Sequence, residues 1–149
     1  VYKRQDDEFI FDYEVAHFNV LIINNLQIKP PFRGYKIGLA AIYQTMQVWG
    51  QGCSIVALKP FPLQLTHSGK NQADWFAAMD MGRYPTDPAE AIFKLRRYYA
   101  QLGFVDLNAS EVMYLNRDLY CPSLKDIGYD ADAVMRRVDE VWELTHRAV

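Results

Sequence analysis

The chain has 149 residues, close to the roughly 150 of a single domain, so a multidomain assembly is not expected. Half of the residues are hydrophobic, 14% aromatic and 23% charged, a globular composition that excludes disordered, collagen-like and acidic-tail proteins. Lys and Arg number 16 against 18 Asp and Glu, a net charge of −2, so no global field draws nucleic acid or anionic membrane and any anion site must be local.

The two cysteines, Cys53 and Cys121, lack CxxC spacing and a nearby histidine, which argues against a disulfide framework or a zinc site and fits a reducing cytoplasm. No apolar run approaches the roughly 18 residues of a membrane span; Val20 to Ile23, for one, is stopped by Asn24 and Asn25. A soluble protein without a metal is expected. Val1-Tyr2-Lys3-Arg4-Gln5 resembles the translation of a transposase mosaic-end adapter. Residues 1–5 are therefore read as a cloned-end scar and 6–149 as one domain.

Asp6 to Phe18 mixes acids and aromatics without a period, a loop or an irregular edge strand. Val20 to Ile28 is β-branched and apolar and ends at Lys29-Pro30-Pro31, which predicts a strand. From Ile37 the period becomes 3.6, with Leu39, Ile42, Met46 and Trp49 on one face before Gly50 and Gly52, a helix of about four turns. Ser54 to Leu58, closed by Lys59-Pro60-Phe61-Pro62, reads as a strand covered on both faces. Together these make a βαβ unit. A short helix follows around Ala73 to Met79. Asp87, Pro88 and Glu90 then open a capped helix whose buried face is Ile92, Leu95, Tyr99 and Leu102. Phe104 to Leu107 and Val112 to Leu115 pair across Asn108 to Ser110, and an amphipathic helix from Asp132 to about His146 carries Met135, Val138 and Trp142 on one side.

The stretch that carries chemistry is Ile28 to Leu39, where a strand passes through a glycine-containing turn into a helix. Such a turn aims free backbone N–H groups and the positive end of the helix dipole at one point, with Arg33 and Lys36 adding local charge. It is neither a Walker A loop nor a GxGxxG fingerprint. Glycines at a helix start also serve purely steric needs of a turn.

This stretch resembles the cofactor loop of the GNAT superfamily of N-acetyltransferases, Arg/Gln-x-x-Gly-x-Gly/Ala after a Val-x-Pro strand end. Arg33, Ile37 and Gly38 match, as does Ile28-Lys29-Pro30, while Lys36 stands where the family has its middle glycine. Tyr99-Ala100-Gln101-Leu102-Gly103-Phe104 is similar to the family's Tyr-x-x-Leu-Gly-Phe segment, with Ile92 where the family often has asparagine. The resemblance covers about residues 20–116 and implies an α/β (α+β) fold: a mixed sheet flanked by helices, with splayed central strands, here Val20 to Ile28 and Ser54 to Leu58, and an extra C-terminal helix. The family's earlier strands and helices are missing, so the leading edge of Val20 to Ile23 would be open to self-association unless Phe9 to Val15 folds back as a substitute strand.

The resemblance also implies acetyl-CoA as cosubstrate. It places the pantetheine arm along the strand edge, the thioester near Leu26 to Ile28, and the pyrophosphate on the turn formed by Arg33, Gly34, Tyr35, Lys36, Ile37, Gly38 and Leu39. Tyr99 would protonate the departing thiolate, against the alternative of a core tyrosine; Tyr98 is read as facing outward. No base is assigned, because Asn24, Asn25 and Gln27 cannot accept a proton and Asp12, Glu14 and His17 are as readily surface residues. His67 is a loop residue, and Lys94, Arg96 and Arg97 either approach the 3′-phosphate or form a solvated face. Cys53 is read as a small buried hydrophobe. The expected activity is acyl transfer to a small-molecule or peptide amine; a non-catalytic acyl-CoA-binding or interaction module is the rival.

Overall fold

A computed structural model describes residues 19–65, 72–119 and 121–147. Asp6 to Phe18, with the proposed substitute strand, and His67 lie outside the described residues. The chain forms a mixed α/β structure around a four-stranded sheet of order β1-β2-β4-β3. β1 (Asn19–Ile23) runs parallel to β2 (Cys53–Leu58), joined by α1 (Ile37–Trp49) as the sequence predicts. β4 (Met113–Asn116) lies antiparallel to β2, and β3 (Val105–Asp106) pairs antiparallel with β4.

The first strand is shorter than predicted. Pairing ends at Ile23 opposite Leu58, and residues 24–29 belong to no strand. Two asparagines on one side are poor strand formers, and on the other Pro60 and Pro62 offer no ladder N–H. In β2, Ser54, Val56 and Leu58 are buried while Cys53, Ile55 and Ala57 are half-buried, so only one face is fully covered. The strand covered on both faces is β4, where all four residues are buried.

The core joins Leu39, Ile42 and Met46 of α1 to Val56, Leu58, Met113 and Leu115 of the sheet, with Leu102 and Phe104 closing one end. Trp49 continues the predicted α1 stripe but is 71% exposed. After α2 (Gln72–Ala78), α3 (Pro88–Ala100) starts as its sequence dictates: Pro88 opens it and the Asp87 carboxylate accepts the Glu90 N–H at 2.7 Å.

α4 (Ala131–His146) is capped by Asp130, whose carboxylate accepts the Ala133 N–H at 2.9 Å. Its stripe of Met135, Val138 and Trp142 does not face the core: Met135 is 59% exposed and Trp142 60%. The helix packs instead on the turn at Pro30–Phe32, and Arg137 Nε donates to the Pro31 carbonyl at 2.8 Å. β1 is the terminal strand of the described sheet, with Val20 and Ile22 exposed.

Met135→Ser is therefore expected to change unfolding free energy by less than about 0.5 kcal/mol, as at other exposed positions. Leu102→Ala, at a fully buried site, should cost about 2–5 kcal/mol. Urea unfolding of both variants checks the assignment of inside and outside.

Candidate functional site

Beyond the Ile23–Leu58 pair the two chains diverge, and a cavity of about 410 Å³ opens between them. Residues 23–28 form one wall and the segment from Leu58 to Gln64 the other. The N-terminus of α1 and residues of α3 also line it, as do Met79, Met81, Tyr84 and Pro85.

The chain enters α1 through a tight reversal. A 3-10 turn at Pro30–Phe32 is followed by Gly34 at φ 90° and Lys36 at φ 57°, ψ 18°. Lys36 thus adopts the left-handed conformation that glycine occupies without penalty and that costs another L-residue about 1–2 kcal/mol. Its ammonium group is anchored on the Ile127 carbonyl, which offsets part of that cost and holds its charge away from the cavity. Of the two cations in the turn, Arg33 lines the cavity and Lys36 does not.

The reversal leaves the N–H groups of Gly34, Tyr35, Lys36, Ile37 and Gly38 without a hydrogen-bond acceptor among the described residues. The Leu39 N–H, by contrast, donates to the Tyr98 hydroxyl at 3.1 Å. Arg33 Nε donates to the Ile28 carbonyl at 2.8 Å, and its guanidinium carbon sits 5.2 Å from the centre of the Tyr84 ring. Its Nη1 is buried and has no partner among the described residues. A buried cationic donor left unpaired is costly, and an acceptor entering the cavity would remove that cost.

Of the residues singled out in the sequence, Leu26, Ile28, Arg33, Gly34, Ile37, Gly38 and Tyr99 meet around this one cavity. Tyr35, Lys36 and Leu39 do not line it, and Leu39 is fully buried in the core. Tyr98 does not face outward. It lies on the helical stripe Ala91, Leu95, Tyr98, Leu102, which a reading begun at Ile92 overlooks because alanine is a faint apolar signal. Its hydroxyl rests against Gly38, where an added Cβ would lie 2.5 Å from that oxygen. Gly38 is glycine because of this close approach.

Tyr99 also lines the cavity, its ring edge-on to Tyr98 at 5.6 Å and to Phe104 at 6.4 Å. Its hydroxyl makes no hydrogen bond to a described residue. Burial raises the pKa of both phenols, and for Tyr98 the Leu39 N–H opposes that shift, so both stay protonated at neutral pH.

Lys94 reaches the cavity rim while paired with Glu90 at 2.7 Å. Arg96 turns to Asp106 at 2.5 Å and Arg97 lies over Phe93 at 5.9 Å, so these two form a surface face. Cys53 and Cys121 are free and half-buried, neither lines the cavity, and burial pushes the Cys121 thiol up. Asp12, Glu14 and His17 lie outside the described residues. Among those described, no group of three or more His, Cys, Asp or Glu is assembled, and no helix is long and apolar enough to cross a membrane.

The sequence reading missed the part of the lining supplied by Phe61, Met79, Met81 and Tyr84. Its only local signal is the pair of aromatic-proline steps Phe61-Pro62 and Tyr84-Pro85. Comparison with protein-family models, with curated proteins and with solved structures gives no match.

Gly38→Ala is expected to destabilise the protein by about 1–3 kcal/mol through overpacking against Tyr98. Combining it with Tyr98→Phe should recover part of that loss by removing the clashing oxygen. A double-mutant cycle on unfolding free energies measures the coupling, and additive losses would separate the two residues.

Proposed function

We propose that the protein is an acyl-CoA-dependent N-acyltransferase that moves an acetyl group from acetyl-CoA to an amine, after the manner of the GNAT enzymes its two motifs resemble. The observation that carries this reading is the row of five N–H groups at the start of α1 with no acceptor among the described residues, of which Gly34, Ile37 and Gly38 line a mainly apolar cavity beside Arg33, whose Nη1 likewise has no described partner. Oriented N–H donors, a helix N-terminus and a buried guanidinium suit a pyrophosphate, and an apolar slot suits a pantetheine arm.

In this reading Arg33 and the N–H groups from Gly34 to Gly38 hold the pyrophosphate; Leu39 drops out because its N–H serves Tyr98. The backbone from Leu26 to Ile28, which belongs to no strand, offers hydrogen bonds to the pantetheine arm and to the thioester carbonyl. Acetyl-CoA is a substrate here and supplies the activated acyl group. Tyr98 positions the turn through Leu39, and Tyr99, whose protonated hydroxyl has no partner among the described residues, donates a proton to the leaving thiolate. A non-catalytic acyl-CoA-binding module is the second reading, favoured by the lack of any Asp or Glu among the described lining residues.

Calorimetric titration with acetyl-CoA should show binding that weakens with added salt and with Arg33→Ala. Salt-independent binding, or none, would remove the anion site and both readings with it. Tyr99→Phe should keep affinity and melting temperature while lowering turnover about 10²–10⁴-fold. Affinity without turnover on any amine, in wild type and variant alike, would favour the binding module.

A further inference from the structure

Resting on the acyltransferase reading, we propose that the C-terminal segment clasps the turn before α1 in its phosphate-receiving shape, with Arg137 of α4 as a positioning residue for acetyl-CoA. The turn has few means of holding itself. Pro30 and Pro31 carry no N–H. The Phe32 N–H donates to the Lys29 carbonyl at 3.0 Å and the Arg33 N–H to the Pro30 carbonyl at 3.2 Å, and there the internal bonding stops. From Gly34 to Gly38 no N–H has an acceptor among the described residues, which is what leaves these groups open to an anion. Donors kept for a ligand do not also fix the backbone, so the shape of the turn has to be set by other groups.

Two of those groups reach across to the C-terminal segment, and they run in opposite directions. The Lys36 ammonium donates outward to the Ile127 carbonyl, and Arg137 Nε donates inward to the Pro31 carbonyl at 2.8 Å. The Ile127 end is firm. Its side chain is 5% exposed within the core, and the loop around it closes on itself: the Ser123 N–H and hydroxyl donate to the Asp126 carboxylate at 2.9 and 2.8 Å, and the Tyr129 N–H donates to the Leu124 carbonyl at 2.9 Å. The Arg137 end is conditional. Glu140, three residues on, holds the guanidinium at 2.9 Å, but α4 has no fully buried residue, and it packs on the turn at Pro30–Phe32.

A helix so lightly held shares its free energy with the turn it touches. When α4 is docked, Arg137 keeps Pro31 in place and the N–H groups that follow stay aimed for phosphate, so less of the binding free energy is lost in ordering them. The coupling is reciprocal: phosphates seated on the turn hold α4 down by the same factor that docked α4 adds to their affinity.

The test titrates CoA calorimetrically into wild type, Arg137→Ala, Arg137→Lys and Met135→Ser, the last altering an exposed side chain of the same helix. Amide hydrogen exchange across α4 is followed with and without saturating CoA. Arg137→Ala should weaken CoA binding about three- to tenfold, the range of one hydrogen bond, with the melting temperature unchanged. Arg137→Lys, which keeps a cationic donor on a long stem, should recover part of that loss, and Met135→Ser should bind as wild type does. Saturating CoA should slow exchange of the α4 amides in wild type and slow it less in Arg137→Ala. Wild-type affinity in Arg137→Ala, α4 exchange indifferent to CoA, or a loss that Arg137→Lys does not recover or that Met135→Ser shares would overturn the inference while leaving CoA binding intact. Wild-type protein that binds no CoA would instead overturn the acyltransferase reading.

Discussion

The parallel ladder between β1 and β2 stops after Ile23 and Leu58, and every feature of the candidate site follows from that interruption. On one side Asn24 and Asn25 carry the chain out of the sheet; on the other Pro60 and Pro62 cannot continue the ladder. The gap does not collapse because both rims are held from behind. Leu58 is anchored in the core with Leu39, Met113 and Leu115, while Arg33 ties the departing strand back through the Ile28 carbonyl. Open space in a protein this size needs such props, since apolar walls otherwise close on one another.

The turn into α1 is the second held feature. A left-handed Lys36, five N–H groups with no acceptor among the described residues and a buried guanidinium nitrogen are each unfavourable alone. They persist because neighbours over-determine them. The Lys36 side chain is fixed on Ile127, the Tyr98 hydroxyl accepts the Leu39 N–H, and Gly38 lets that hydroxyl come close. Unfavourable local geometry maintained by a supporting shell, at the edge of a cavity, is the pattern expected where a ligand completes the hydrogen bonding. Of two tyrosines adjacent in sequence, Tyr98 holds the helix start while the Tyr99 hydroxyl has no partner among the described residues.

Strong periodic signals in the sequence were reliable guides. The α1 span, the Asp87 cap of α3 and the β3–β4 pairing stand as the sequence predicts, because period, capping chemistry and turn residues agree there. The length of β1 was only partly legible: Asn24 and Asn25 mark its end locally, whereas Pro60 and Pro62, which follow the partner strand, act from about 35 residues away. The inward placement of Tyr98 was hidden by the faint apolar signal of Ala91. The exposed stripe of α4 shows that amphipathic spacing marks a face without saying which face the tertiary structure covers. In the site, the glycine turn and Arg33 could be singled out from sequence alone, whereas the lining supplied by Met79, Met81 and Tyr84 depends on a chain path that no local pattern encodes.

The central claim is that the free N–H groups between Gly34 and Gly38 receive the phosphates of an acyl-CoA. Nitrogen-15 NMR during titration with CoA observes those groups one by one. The account predicts that the Gly34, Ile37 and Gly38 amide resonances show the largest shifts, saturating together, while the Leu39 amide, already bonded to Tyr98, moves little. Unchanged Gly34 to Gly38 resonances in the presence of a saturating signal elsewhere would contradict it.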